Sequence, residues 1–180
     1  MNIVLEGAKG TGKSTVAKHF IEKGYEYFHS SSETENDLKY HLDLLDGDKR
    51  VIDGFSISEM IYSVVYGRES KLKHNEFIET LVDKNTIYCV LYSSVPDVLI
   101  NRIINRNHEK DADFKKRDIT ESNRLFASIH YSLEPYRDDV IVYFFDVARL
   151  NANDIIEIIE EEIGWLCEYL RVLMMHGFTM

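Results

Sequence analysis

Apolar and polar positions change period along this chain of 180 residues, and the changes mark out its elements. Asn2–Glu6, Arg50–Asp53, Thr86–Tyr92 and Val140–Phe145 are short apolar runs, and Tyr25–Phe28 is a weaker fifth. Runs of this length, bounded by turn residues, read as strands buried in a sheet. Helical spacing fills the intervals. It covers Lys13–Lys23, stopped by Gly24, and Glu33–Leu45, with Leu38, Leu42 and Leu45 on one face. It returns over Ser58–Tyr66, closed by Gly67, over Asn75–Val82, and over Pro96–Arg106, where proline takes the first helical position. Ile119–Tyr136 and Asp154 to about Leu173 complete the set. Strands that alternate with helices predict one α/β domain over 1–180, with a five-stranded parallel sheet and helices on both faces. No repeat or Pro/Ser-rich linker divides it.

One segment breaks the alternation. Residues 107–118 (NHEKDADFKKRD) are highly charged and carry no apolar period, as expected of a short exposed lid. Hydrophobic content of 44% and charged content of 29% are those of a globular chain. Charge interrupts the apolar stretches, and residues 1–20 lack the apolar core of a secretion signal, so a cytoplasmic protein without a membrane segment is expected. Cys89 and Cys167 stand alone, which argues against a disulfide framework or a zinc site. The net charge of −10 argues against a nucleic-acid partner, because a surface tracking DNA carries a net basic face. The histidines show no HExxH spacing, and Glu160-Glu161-Glu162 reads as a solvated helix face.

The chemistry begins between the first strand and the first helix. Gly7-Ala8-Lys9-Gly10-Thr11-Gly12-Lys13-Ser14, followed by Thr15, satisfies G-x-x-x-x-G-K-[ST]. Glycines let the backbone bend so that successive N–H groups converge on phosphate oxygens, and the helix that follows adds its positive end. Lys13 is placed to reach the β- and γ-phosphates, and the Ser14 hydroxyl to ligate Mg²⁺. Gly7 through Thr15 are therefore the expected ATP-binding residues, within a P-loop NTPase fold. Asp53 ends the third strand, where an acidic residue supports magnesium, so Ser14 and Asp53 are the candidate metal pair. Arg102 and Arg106 lie one helical turn apart ahead of the charged segment. Guanidinium groups there are suited to neutralise a transferring phosphoryl group as a lid closes. Lys110, Lys115, Lys116 and Arg117 lie within the lid segment, its lysines individually reading as solvated. A guanine-selecting N-K-x-D motif is missing, since Asp83-Lys84-Asn85 has the wrong order.

Two segments together resemble the thymidylate kinases and their relatives among nucleoside and nucleoside-monophosphate kinases. Glu6-Gly-Ala-Lys-Gly-Thr-Gly-Lys-Ser matches that family's Glu-Gly-x-Asp-Gly-x-Gly-Lys-[Ser/Thr] loop at all but one position. Asp53-Gly-Phe-Ser-Ile-Ser58-Glu-Met-Ile-Tyr62 follows its Asp-Arg-Tyr-x-x-Ser-x-x-Ala-Tyr motif at Asp53, Phe55, Ser58 and Tyr62. The order of elements agrees along most of the chain. The resemblance implies ATP and Mg²⁺ as cofactors, Lys13, Asp53, Arg102 and Arg106 as catalytic groups, and adenine near 146–151. It also implies a small nucleotide or nucleoside acceptor held by Lys9, Phe55, Ser58 and Tyr62.

Two departures bear on the acceptor. Lys9 replaces an acidic residue that approaches the acceptor sugar, and Gly54 replaces an arginine that approaches its phosphate. Either Lys9 supplies the positive charge missing at 54, or it points to solvent and the acceptor differs. A monophosphate brings its own ionised nucleophile, whereas a nucleoside hydroxyl benefits from a carboxylate base. Glu33 and Glu35 lie slightly beyond the second strand and read better as acids opening the next helix. The monophosphate is therefore the expected acceptor and a deoxynucleoside the alternative. A P-loop module that binds nucleotide with little turnover is a third reading, and a kinase of modified bases within DNA is disfavoured by the acidic balance. Trp165–Met175 is apolar on more than one side and is expected to cover the sheet or, less favoured, to pack against a second copy in a homodimer.

Overall fold

The computed structural model describes residues 1–30, 37–82, 85–106, 116–136 and 138–175. Five strands form one sheet: β1 (Asn2–Gly7), β2 (Glu26–His29), β3 (Arg50–Asp53), β4 (Thr86–Tyr92) and β5 (Val142–Asp146). Their order is β2-β3-β1-β4-β5 and every pairing is parallel. Among the described residues seven α-helices accompany them: α1 (Lys13–Glu22), α2 (Leu38–Leu45), α3 (Ser56–Val65), α4 (His74–Leu81), α5 (Pro96–Asn105), α6 (Lys116–Leu133) and α7 (Ala152–Met175). Parallel strands need crossovers, and the helices supply them on both faces. α1 and α7 pack on one face, α3 and α6 on the other.

The central strands explain the continuous apolar runs. Every residue of β1 is buried, and β4 is buried from Thr86 to Leu91, because helices cover both sides. Ile3, Leu5, Ile52, Ile87 and Leu91 are fully buried, and Phe20, Phe55, Tyr88 and Phe126 fill the space between sheet and helices. β1 sits between β3 and β4, with Leu5 opposite Asp53 and Cys89. The Gly-rich loop and Asp53 therefore leave the sheet side by side at its carboxyl edge, where open α/β sheets bind ligands.

Several boundaries differ from the sequence expectation, each for a physical reason. α3 starts at Ser56, because the Glu6 carboxylate accepts hydrogen bonds from the Ile57 N–H (2.9 Å) and Ser58 N–H (3.1 Å) and caps the helix from another strand. α7 starts at Ala152, capped by Asn151, whose side-chain oxygen accepts from the N–H groups of Asn153 and Asp154. α6 spans Lys116–Leu133, so Lys116, Arg117 and Asp118 of the expected lid lie in its first turn; the rest of the expected lid, 107–115, lies outside the described residues. Glu33 and Glu35 lie outside them too. β5 starts two positions later than the apolar run suggested and ends one later, on Asp146.

α7 does not cover the sheet along its whole length. Ile155, Ile156 and Ile159 are buried, but Trp165 is 62% exposed and Cys167 is exposed. Among the described residues no helix is long and apolar enough to cross a membrane.

Candidate active site

Backbone conformation at the loop explains its glycines. Gly7 has φ +146°, and a β-carbon there would lie 2.3 Å from the Leu91 carbonyl oxygen. Gly10 has φ +89° and packs against the Leu99 carbonyl at 2.9 Å in the same sense. Both positions combine a left-handed backbone with a close approach, and only glycine meets both demands. The loop then enters α1 through Gly12, so the first N–H groups of that helix remain directed at the cradle.

Three side chains converge on the cradle. Lys13 Nζ donates to the Gly7 carbonyl at 2.7 Å and lies 3.9 Å from Asp53 Oδ1. Burial pulls its ammonium below the ordinary lysine range, and Asp53 and Glu6 oppose that pull. The Ser14 hydroxyl donates to Asp53 Oδ2 at 3.2 Å, and the Tyr27 hydroxyl reaches the same oxygen at 3.4 Å. Asp53 Oδ1 is buried and meets no hydrogen-bond partner among the described residues. A carboxylate oxygen left over beside a hydroxyl fits Mg²⁺, which takes hard oxygen ligands and keeps several waters. Ser14 and Asp53 are the residues that would hold it.

Behind the loop sits a carboxylate whose role sequence reading did not assign. Glu6 is fully buried, and Ser58 Oγ also donates to it in a very short hydrogen bond. Burial pushes its pKa up to about 7 against those hydrogen bonds and the nearby Lys13. Glu6 thus ties the strand that carries the loop to the helix that carries Ser58. Its place at the head of the loop motif was the available signal.

Two cavities open on either side of the loop. The larger, about 580 Å³, is lined on the loop side by Lys9, Lys13, Ser14 and Arg106, and on the far side by Ser58, Glu59, Tyr62, Tyr66 and Arg68. The smaller, about 160 Å³, lies between the loop and α7, against Arg102, Val147, Leu150 and Asn151. Gly10, Gly12 and Arg106 line both. Arg102 donates to the Val147 carbonyl at 3.1 Å and reaches the Gly10 carbonyl at 3.5 Å, which joins the loop to the segment after β5.

The remaining expected site residues fall as follows. Lys9 is exposed and lines the larger cavity. Ala8 and Thr11 are buried, with the Thr11 hydroxyl donating to the Ala8 carbonyl at 2.8 Å, so both shape the loop from inside. Thr15 lines the smaller cavity. Phe55 lines the larger one from below, buried between His41 and Tyr88 with ring centroids 4.6 and 6.1 Å away. Tyr62 stacks on Tyr66 at 5.8 Å and 12°. Gly54 has φ +82°, with the Ser30 carbonyl 3.3 Å from where a β-carbon would stand, so the arginine of the related motif would be strained here.

Comparison with known proteins establishes the architecture. No family model and no curated protein matches the sequence. Solved structures do match. The YorR protein from Bacillus subtilis, in complex with phosphorylated GDP, superposes with a TM-score of 0.72 over 99% of this chain and 100% of its own, at 21% identity. Deoxyadenosine kinase from M. mycoides with bound dATP follows at a TM-score of 0.61, 19% identity, 91% of this chain and 99% of that one. A gluconokinase from Sinorhizobium meliloti 1021 superposes at 0.52, with 18% identity over 98% and 97% of the two chains. The fold is that of the P-loop kinases. At these identities the likeness extends to the fold and not to a substrate.

Proposed function

We propose that this chain is a kinase of the thymidylate kinase type, transferring the γ-phosphoryl group of Mg·ATP to a (deoxy)nucleoside monophosphate. The observation that carries this reading is the pair of cavities meeting on one phosphate cradle, with Gly10, Gly12 and Arg106 common to both. A group passed from a donor in the smaller cavity to an acceptor in the larger one crosses those three residues. The kinase fold of the solved neighbours, two of them holding nucleotides, supports it.

Each role follows from a position already described. The loop N–H groups and Lys13 hold the triphosphate tail, while Val147, Leu150 and Asn151 surround the donor's base. Ser14 and Asp53 would hold magnesium, which supplies positive charge to the phosphates when bound. Arg102 fixes the loop relative to the donor side, and Arg106 places a guanidinium where the two ligands meet. Ser58 and Tyr62 position the acceptor, Phe55 forms the floor beneath it, and Lys9 faces its phosphate. A monophosphate needs no base from the protein, only alignment and screening of charge.

One observation favours a second reading. The strained geometry at Gly54 removes the arginine that serves an acceptor phosphate in the related motif, and a deoxynucleoside would not need it. A coupled assay of ADP release over deoxynucleosides and their monophosphates, with and without DNA, separates the readings. ADP formed with monophosphates is the expected result. ADP with nucleosides alone selects the second reading, and ATP binding without acceptor-dependent ADP leaves a nucleotide-binding module.

A further inference from the structure

The edge strand β2 buries little of itself, yet two of its side chains reach Asp53, and neither figures in the proposed transfer. Glu26, Tyr27 and His29 are exposed, and Phe28 is half-buried. β2 pairs with β3 so that His29 stands opposite Asp53, and Tyr27 stands opposite Val51, two positions earlier. The Asp53 main-chain carbonyl accepts from the His29 Nδ1–H at 3.0 Å and from the Ser30 N–H at 3.2 Å. The Tyr27 hydroxyl crosses on the diagonal, within reach of a long side chain, and donates to Asp53 Oδ2 at 3.4 Å. β2 thus holds both the backbone and the carboxylate of Asp53.

The two oxygens of that carboxylate are thereby made unlike. Oδ2 takes the Ser14 hydroxyl at 3.2 Å and the Tyr27 hydroxyl. Oδ1 is buried, meets no hydrogen-bond partner among the described residues and lies 3.9 Å from the Lys13 ammonium. A carboxylate turns easily about its last side-chain bond, so a partner on one oxygen fixes where the other points. In the proposed transfer Lys13 serves the phosphates and the Ser14 oxygen serves the ion, which leaves Tyr27 as the donor from outside the loop that steadies Asp53. A phenol does this without a positive charge, so it does not repel a cation as a lysine or arginine would. Its ring is 41% exposed, so Tyr27 is not kept there to fill the core.

Resting on the Mg·nucleotide reading above, we propose that Tyr27 is a positioning residue of the metal site: its hydroxyl occupies Asp53 Oδ2 and so keeps Oδ1 available to the divalent cation that Ser14 and Asp53 would hold. Outer partners of metal ligands are worth about ten- to a hundredfold in metal affinity. A long hydrogen bond from a partly exposed ring belongs at the lower end, about tenfold.

Titration of the full chain with Mn²⁺ in the presence of ADP, followed by the paramagnetic signal of the free ion, tests this. Mn²⁺ takes the same carboxylate and water ligands as Mg²⁺ and is observed directly. Tyr27→Phe keeps the exposed ring and removes only the hydroxyl. It should raise the Mn²⁺ dissociation constant about tenfold and leave the ADP affinity measured in EDTA unchanged. Tyr25→Phe, which removes a phenol just ahead of β2, should change neither constant. Equal Mn²⁺ affinity in the native and Tyr27→Phe proteins, or no Mn²⁺ bound by either, overturns the proposal. So does an equal loss of ADP affinity in EDTA, since that marks a loosened loop, and so does the same Mn²⁺ shift in Tyr25→Phe. ADP release over the acceptor panel, run in parallel, keeps the two readings apart. A tenfold loss of Mn²⁺ affinity without acceptor-dependent turnover keeps this inference and removes the kinase. Turnover with equal Mn²⁺ affinity does the reverse.

Discussion

The two ends of the larger cavity handle charge in opposite ways. At the loop end, backbone N–H groups, Lys13 and Arg106 face the cavity, and Asp53 keeps an oxygen without a hydrogen-bond partner among the described residues. That end is arranged to meet the charge of a ligand. At the far end the single carboxylate and the single guanidinium named there satisfy one another, and two stacked tyrosines complete the wall. That end is arranged to meet shape and hydrogen-bond direction. Under the proposed kinase reading, one cavity joins a reactive pole, where electrostatics would govern rate, to a recognition pole, where complementarity would govern choice.

The contrast is broken most severely at the loop. Lys13→Met removes the ammonium that bonds the Gly7 carbonyl within the cradle, and turnover is expected to fall by about 10²–10³-fold with the fold intact. ADP release and ATP titration check this, and survival of both would end the phosphotransfer reading.

The next effect concerns Glu6, behind the same pole. Its carboxyl is raised from 4.5 to about 7 in the folded protein by burial. Between those values the folded state holds a proton that the unfolded chain has released, so this group's contribution to stability is complete below about pH 4.5 and is lost as the pH climbs through about 7. Glu6→Gln removes that dependence, and the stability difference between variant and native protein should move in the variant's favour by about 3 kcal/mol across the interval. Urea unfolding of both proteins at about pH 5 and about pH 8 measures it, and a constant difference would refute the assignment.

The smallest effect sharpens the contrast at its border. Lys9 is exposed, so Lys9→Ala should raise the acceptor KM only about fivefold, in keeping with about 1 kcal/mol for an exposed ionic contact. An unchanged KM removes Lys9 from the acceptor site.

The loop end of the cavity was legible in the sequence; at the far end Ser58 and Tyr62 were legible through the second motif, and the Glu59–Arg68 pair was not. Cradling phosphate with main-chain N–H groups constrains residue type at fixed spacing, so Gly7, Gly10, Gly12, Lys13 and Ser14 announce themselves. Asp53 is readable as well, because a parallel strand places its last residue beside the loop. The central strands β1 and β4 were legible for a related reason: burial on both faces leaves unbroken apolar runs. Glu59 had no such signature. In the sequence it is an acid on a helix and Arg68 a base nine positions later, off the helical spacing that pairs side chains. Only the turn at Gly67 brings them together, and a glycine followed by arginine after a helix is its one local trace. Glu6 heads the loop motif, but its role is not readable there, because its partners are the N–H groups of α3, distant in sequence. The start of α6 was legible only from Ile119, since Lys116 and Arg117 are exposed polar residues in a helix whose apolar period begins at Ile119.

The far wall comes from one stretch of chain. Ser58, Glu59, Tyr62, Tyr66 and Arg68 all belong to α3 and its immediate return, and a single carboxylate, Glu6, docks that helix to the strand beneath the loop. The far wall is therefore a cassette of fewer than twenty contiguous positions, held by the Glu6 cap and by the buried Ile57 and Ile61. Under the proposed kinase reading, exchanging that cassette for another helix with the same cap and apolar face would change the acceptor wall while the phosphate cradle stayed in place, a division of labour that would let new substrates be acquired by local replacement.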